Sequence, residues 1–276
     1  MVDSTPTGIA AFGNAPSAIL PAFALILVIG ALSAYGFSLI GRVCAYTGAT
    51  SYRDAWSKSV GDKTSWMPAV ACTFKTTSAV LAYSMILADT TTSLLATVGV
   101  SVSRTASLLG VTGLILLPLC WLKNLSSLAP FSLLGSLGMV YTAIAMCIRY
   151  FGKSYLGKAA TLTAPKGLAP SFGTKGASSV LSPASAILIS MLSTAYMAHF
   201  NAPKFYVELK DNTVPRFNKV VLSSFGISVA IFATVALTGF LTFGEGCSGL
   251  ILNNYSNQDG LMSLSRIAVA VSLMFS

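Results

Sequence analysis

Charge is scarce in this sequence: Asp, Glu, Lys and Arg together make up 9% of its 276 residues. A soluble domain carries about 25%, so this chain cannot cover a water-facing surface with polar groups. Histidine occurs once, at His199, which excludes a zinc protease of the H-E-x-x-H type. The five cysteines (Cys44, Cys72, Cys120, Cys147 and Cys247) show no C-x-x-C spacing. Four of them lie in or against apolar segments, as small packing residues do, and not as a disulfide or zinc framework. Residues 1–6 lack a basic run and include Asp3, so insertion is expected to rely on the first true span and not on a cleaved signal. Acidic residues are fewest, 8 against 17 basic, for a net charge of +9. In so apolar a chain the excess reads as the basic bias of cytoplasmic loops, and no nucleic-acid partner is expected.

What is abundant is apolar: 54% of residues, with a mean hydropathy of +0.74. At about 40 residues per span plus loop, the length allows roughly seven spans. Seven apolar stretches stand out, bounded by Gly, Pro and charge: about 17–41, 66–95, 107–122, 129–150, 182–206, 220–243 and 261–276. The last is 16 residues long and still apolar at its final residue, where a span needs about 20. Residues 8–13 (GIAAFG) read like the tail of another apolar run. The expectation is an all-α polytopic bundle, incomplete at both ends.

Orientation follows from the loops. Residues 42–65 hold Arg42, Arg53, Lys58 and Lys63 against Asp54 and Asp62, and residues 204–219 hold Lys204, Lys210, Arg216 and Lys219 against Glu208 and Asp211. Alternation of spans puts both loops on one side, which their basic content makes cytoplasmic; Lys123 agrees. The loop with Arg149, Lys153, Lys158, Lys166 and Lys175 runs against this assignment. It is long and rich in Gly, Pro and Ser, where charge counts weigh less. Asn254-Tyr255-Ser256 is a glycosylation sequon in a loop expected to be external; Asn124-Leu125-Ser126 is expected to face the cytoplasm.

The chemistry concentrates in the fifth stretch. There Ser193, Thr194, His199, Asn201 and Pro203 fall within two or three turns at membrane depth. Pro203 cannot donate an N–H and crowds the carbonyl four residues back, that of His199. Backbone groups freed at that depth must meet protein, water or ligand, and transporters use broken helices in this way. The alternative is a plain proline kink, with His199 hydrogen-bonded to a neighbouring helix. Among embedded charges, Lys75 is expected to snorkel toward the cytoplasmic interface, or else to line a substrate path. Asp89 is expected to end its helix, and Arg266 to act as an interfacial anchor or gate. Ser272 and Ser276 lie four apart on one helix face; they read as hydroxyl ligands to a cation or as small residues allowing close packing.

Several motifs together resemble the amino acid/auxin permease family, which includes the sodium-coupled neutral amino-acid transporters. Ala198-His199, continued by Phe205-Tyr206-Val207-Glu208-Leu209, is similar to that family's C-H-x-x-x-x-P-I-Y-x-E-L, with His199 in register. Arg42-Val43-Cys44-Ala45-Tyr46-Thr47-Gly48-Ala49, followed by Ser51-Tyr52, resembles its R-C-x-x-Y-T-G-x-x-S-Y after helix two. Gly239-Phe240-Leu241-Thr242-Phe243-Gly244 resembles its G-Y-L-T-F-G at the end of helix seven. Ile251-Leu252-Asn253-Asn254-Tyr255 and Ser265-Arg266-Ile267-Ala268 resemble its eighth-helix region. The chain departs from the pattern at Ala198, where the family has Cys, and at Lys204, where it has Pro; nothing matches the Gly-rich G-x-G-x-L-x-x-P of helix one.

The resemblance implies a five-plus-five inverted-repeat transporter, here from the end of helix one to the middle of helix eight. It implies secondary active transport of amino acids across a plasma or vacuolar/lysosomal bilayer, coupled to Na+ or H+, with no other cofactor. Substrate is expected at Ser193, Thr194, His199 and Asn201, and the ion at Ser272 and Ser276. Lacking half of that site, the chain is not expected to transport alone. Competing classes fit less well. A seven-helix receptor lacks its acidic-Arg-Tyr triplet, a transporter-like sensor shares the same motifs, and an intramembrane serine protease needs G-x-S-G where Gly135-Ser136-Leu137-Gly138 stands.

Overall fold

The computed structural model describes residues 16–97, 99–120, 129–157, 160–172 and 183–274. Helix α1 spans Pro16–Thr47, α2 Tyr52–Ser59 and α3 Trp66–Thr97. Helix α4, Arg104–Val111, runs through a π-helical turn, Thr112–Leu116, into α5, Leu117–Cys120. Then come α6, Ala129–Phe151, α7, Pro183–Ala195, α8, Ala202–Glu208, α9, Val214–Phe243, and α10, Gly260–Met274. Among the described residues, four helical segments are long and apolar enough to cross a membrane: Ile19–Thr47, Asp62–Ala96, Leu133–Phe151 and Val214–Phe243. The protein is an all-α, multi-pass membrane protein. Many large apolar side chains face outward, Leu20, Leu32, Phe74, Leu114 and Leu222 among them, as a lipid-facing surface requires.

Two packing seams organise the bundle: α1 lies along α9, and α6 along α10. Both are close because glycines face partners. A Cβ on Gly41 would stand 2.2 Å from the Phe217 ring, and one on Gly138 2.8 Å from Ala268 Cβ. Three cores result. One joins α1, α7 and α9 through Ile26, Leu192, Tyr196 and Phe240. The second lies at one end of the bundle, where Phe37, Cys44, Ala55, Ala202, Tyr206 and Phe217 hold α1, α2, α8 and the start of α9 together. The third lies at the opposite end, where Met146, Tyr155, Phe243, Leu252, Tyr255 and Met262 join α6, α9 and α10 to their connecting loops.

Helix α2 starts at a Ser51 N-cap, whose side chain accepts from Asp54 N–H. Asp54 in turn takes the Thr50 N–H at 3.1 Å and the Lys58 ammonium at 2.9 Å. Those bonds, that of Lys58 foremost, hold its carboxyl below the usual carboxylate range.

Two charge assignments made from the sequence are corrected. Asp89 does not end α3, which continues to Thr97; its carboxylate instead pairs with Arg104 Nε at 2.6 Å, tying α3 to α4. Arg149 is not a free loop charge. It forks onto Asp259 with Nε at 2.9 Å and Nη2 at 2.6 Å, so the loop that conflicted with the charge rule carries one fewer free cation. Lys75 is half-buried on α3 and has no ion pair among the described residues.

Candidate functional site

The fifth apolar stretch does not cross as one helix. Helix α7 stops at Ala195, and the chain resumes a short 3-10 turn at His199–Asn201 before α8. Tyr196 N–H still reaches Leu192 O at 3.0 Å, but Met197 N–H turns to Thr194 O and Ala198 N–H to Tyr196 O. Among the described residues, the carbonyls of Ser193, Ala195 and Met197, and the N–H groups of His199 and Phe200, have no backbone partner. Pro203 occupies the first turn of α8, where no N–H is needed. The break therefore lies upstream of the proline, and the His199 carbonyl, expected to be crowded out, accepts the Ala202 N–H.

Side chains lock this shape onto α1. His199 Nε2 meets the Ser33 carbonyl at 3.0 Å, and its ring lies 6.0 Å from that of Phe37. Gly36 makes the approach possible, since a Cβ there would stand 3.0 Å from Nε2. Tyr196 is buried against Phe232, 5.1 Å between centroids. A Cβ at Gly30 would lie 3.2 Å from its ring. Ser193 and Asn201 are half-buried and Thr194 is exposed. All four predicted substrate residues thus sit at or beside the break, and His199 is the one bound to another helix.

A cavity of about 580 Å³ separates α1, α7 and α9 from α3, α6 and α10. Its α7 wall is Leu188, Met191, Leu192 and Ala195; no lining residue is charged, and polar groups come from Tyr83, Thr142, Ser248 and Ser272. Ser193, Thr194, His199 and Asn201 do not line it. A second cavity, about 220 Å³, also borders the break, among Phe37, Tyr196, Phe205, Phe217, Phe225 and Phe232. Ala195 borders both, so the break touches two apolar spaces. With neutral walls, the polar groups these spaces can offer are backbone dipoles and a few hydroxyls.

Ser272 faces the backbone and small side of Gly135, whose Cβ would stand 2.9 Å from Ser272 Cα. It serves close packing of α6 on α10 while also bordering the large cavity. Ser276 lies outside the described residues.

A polar network at the α9–α10 end was not legible in the sequence. The Asp259 carboxylate, with 0% of its side chain exposed, accepts from Arg149 and from Tyr155 Oη at 2.9 Å. It also takes the N–H groups of Leu261 and Met262 as α10 begins. Burial is the main cause that pushes the Tyr155 hydroxyl above its ordinary range. The one local sign of it, missed in reading the sequence, is Asp259-Gly260 before an apolar run, an N-cap pattern for Asp259 alone. Two further readings are corrected. Arg266 is no interfacial anchor: it is 1% exposed and donates to the carbonyls of Leu252, Tyr255 and Ser256. Asn254 is 0% exposed, with Nδ2 on Gly246 O and Leu168 O and Oδ1 on Ser248 N–H. A sequon asparagine so enclosed offers no amide for a glycan.

Comparison with known proteins gives these features a setting. No solved structure matches the chain. Among curated proteins, it is 26% identical over 261 residues to amino acid transporter AVT6E of Arabidopsis thaliana, covering 91% of this chain and 52% of that one. It is 26% identical over 165 residues to vacuolar amino acid transporter 7 of Saccharomyces cerevisiae, covering 60% and 32%. It is 29% identical over 86 residues to putative sodium-coupled neutral amino acid transporter 11 of Homo sapiens, covering 31% and 21%. The chain spans about half the length, or less, of these relatives. The family model for transmembrane amino acid transporter proteins matches residues 6–276, nearly the whole sequence, and the chain belongs to that family.

Proposed function

We propose that this chain carries the α7–α8 share of an amino-acid site in a secondary active transporter. The observation that supports it best is the break. Among the described residues, three carbonyls and two N–H groups have no backbone partner at a break that borders two apolar cavities. Unsatisfied backbone in an apolar setting costs several kcal/mol per group by general estimates, and an amino acid offers both the donors and the acceptors to offset it. The carbonyls of Ser193, Ala195 and Met197 suit an ammonium group, and the free N–H groups of His199 and Phe200 suit a carboxylate. Ser193, Thr194 and Asn201 add side-chain polarity around them, while His199 acts chiefly by fixing the break to Ser33.

Na+ or H+ is the proposed coupling ion. Ser272, on the cavity wall, and Ser276 are the residues proposed for its site. A five-plus-five repeat and a plasma or vacuolar/lysosomal membrane belong to the same reading. The test is binding of labelled amino acids to the full 276-residue chain in lipid nanodiscs, in Na+ against choline and at pH 5.5 against 7.5. Saturable binding of at least one amino acid is expected. No binding of any of the twenty rejects the site, and binding indifferent to both Na+ and pH rejects the coupling.

A further inference from the structure

The loop between α9 and α10 walls one end of the large cavity. Residues 247–252 border it, and Ile251 presses on α9, where a Cβ at Gly239 would stand 3.0 Å from Ile251 Cγ1. Within this loop, Ile251–Asn254 form a short 3-10 turn. The loop's own backbone uses its exit carbonyls only in part: Leu252 O takes the Tyr255 N–H at 3.3 Å and Ser256 O the Asp259 N–H at 3.2 Å. The Leu252 and Tyr255 carbonyls are taken by Arg266 Nη2 at 2.9 and 2.7 Å, and that of Ser256 by Nη1 at 3.4 Å. Arg266 comes from the second turn of α10, below the loop, and no carboxylate lies within ion-pair distance of it among the described residues. A buried cation without an acid is tolerated only when hydrogen bonds replace its water. Here those bonds come entirely from loop carbonyls.

We propose that Arg266 is a positioning residue that holds residues 247–256 as a plug over the end of the large cavity. It is tethered from inside the bundle and not from the surface. Asn254 completes the plug by tying the same turn to Gly246 and to Leu168 of the preceding loop. Loss of the guanidinium removes three hydrogen bonds at once and leaves the Tyr255 carbonyl without a partner among the described residues, where no other α10 side chain bonds to that turn. What the plug does for transport rests on the function proposed above; its existence does not, and the test needs no substrate.

Cys247 lies within the plug and reports on it. Its Sγ is 3.5 Å from Gly239 O, and burial pushes its thiol up to about 12. Cys44, buried in the core at the opposite end, reports on global loosening. The full chain in nanodiscs is treated with N-ethylmaleimide, and each cysteine is followed by mass spectrometry. Arg266→Met is expected to speed Cys247 alkylation roughly tenfold or more, given what hydrogen bonds to a charged donor contribute, with Cys44 unchanged. Arg266→Lys is expected to fall between, because an ammonium cannot span three carbonyls. An unchanged Cys247 rate, or a parallel rise at Cys44, overturns the proposal. Should Arg266→Met fail to fold, amide exchange of the natural chain decides. The N–H groups of Ser248, Asn253 and Tyr255 are expected to exchange far more slowly than those of Lys210 to Asn212, and equal rates overturn it.

Discussion

Replacing Arg149 with Met isolates the energetics of the buried charge pair. Asp259 has no exposed side-chain surface, whereas Arg149 retains 22%, so the two partners are not equivalent. Arg149→Met leaves a carboxylate in the interior without its cation. Removing one partner of a buried pair costs about 3–5 kcal/mol. Three donors remain on Asp259, the Tyr155 hydroxyl and the Leu261 and Met262 N–H groups, which places the expected loss near the lower end, ~3 kcal/mol. Asp259→Asn is expected to cost less, about 1–2 kcal/mol. Its amide oxygen still caps α10, and the stranded guanidinium can turn toward solvent. The double variant removes both charges, so its cost should fall short of the sum by about 1–3 kcal/mol. Unfolding of the purified chain by titration with SDS measures all three. Strict additivity, or an Arg149→Met loss under ~1 kcal/mol, would refute the picture of a buried, coupled pair.

Other consequences are equally direct. Gly36→Val pushes a side chain into the space of His199 Nε2 and is expected to destabilise by about 1–3 kcal/mol, read by the same titration; wild-type stability would sink the packing argument. His199→Ala, which removes the Ser33 contact, should cost about 0.5–1.5 kcal/mol. Expressed in a glycosylating host, the chain should carry no glycan on Asn254, so endoglycosidase treatment will leave the mass of the peptide containing it unchanged; a glycopeptide there contradicts its burial. For α2 the sign follows from the lowered Asp54 carboxyl. The stabilisation it lends is complete above the ordinary carboxylate value, about 3.9, and is lost as pH falls through the lower folded value. Amide exchange at Thr50 and Asp54 should stay slow at pH 4 and rise only below it; a rise already between pH 6 and 5 would contradict the assignment.

The sequence alone determined what depends on local composition. Scarce charge and long apolar runs dictate a bilayer environment whatever the packing. The cluster from Ser193 to Pro203 marks the interrupted stretch because a proline is excluded from a helix interior and tolerated in a first turn. The motifs around Tyr46, Tyr206 and Gly239 were enough to resemble the family to which the chain belongs. Tertiary structure decided which groups are held by partners distant in the chain. His199 is held by Ser33, 166 residues away, while the unpaired carbonyls lie at Ser193, Ala195 and Met197. Arg149 and Asp259 are 110 residues apart, and neither announces the other. Asn254 reads as a glycan acceptor until its neighbours enclose it, and Arg266 as an anchor until three carbonyls converge on it. The physical reason is the same throughout. A polar group buried in a bilayer protein must find partners, and those partners come from whichever helices pack against it, a property of the assembled bundle and not of any one stretch of chain.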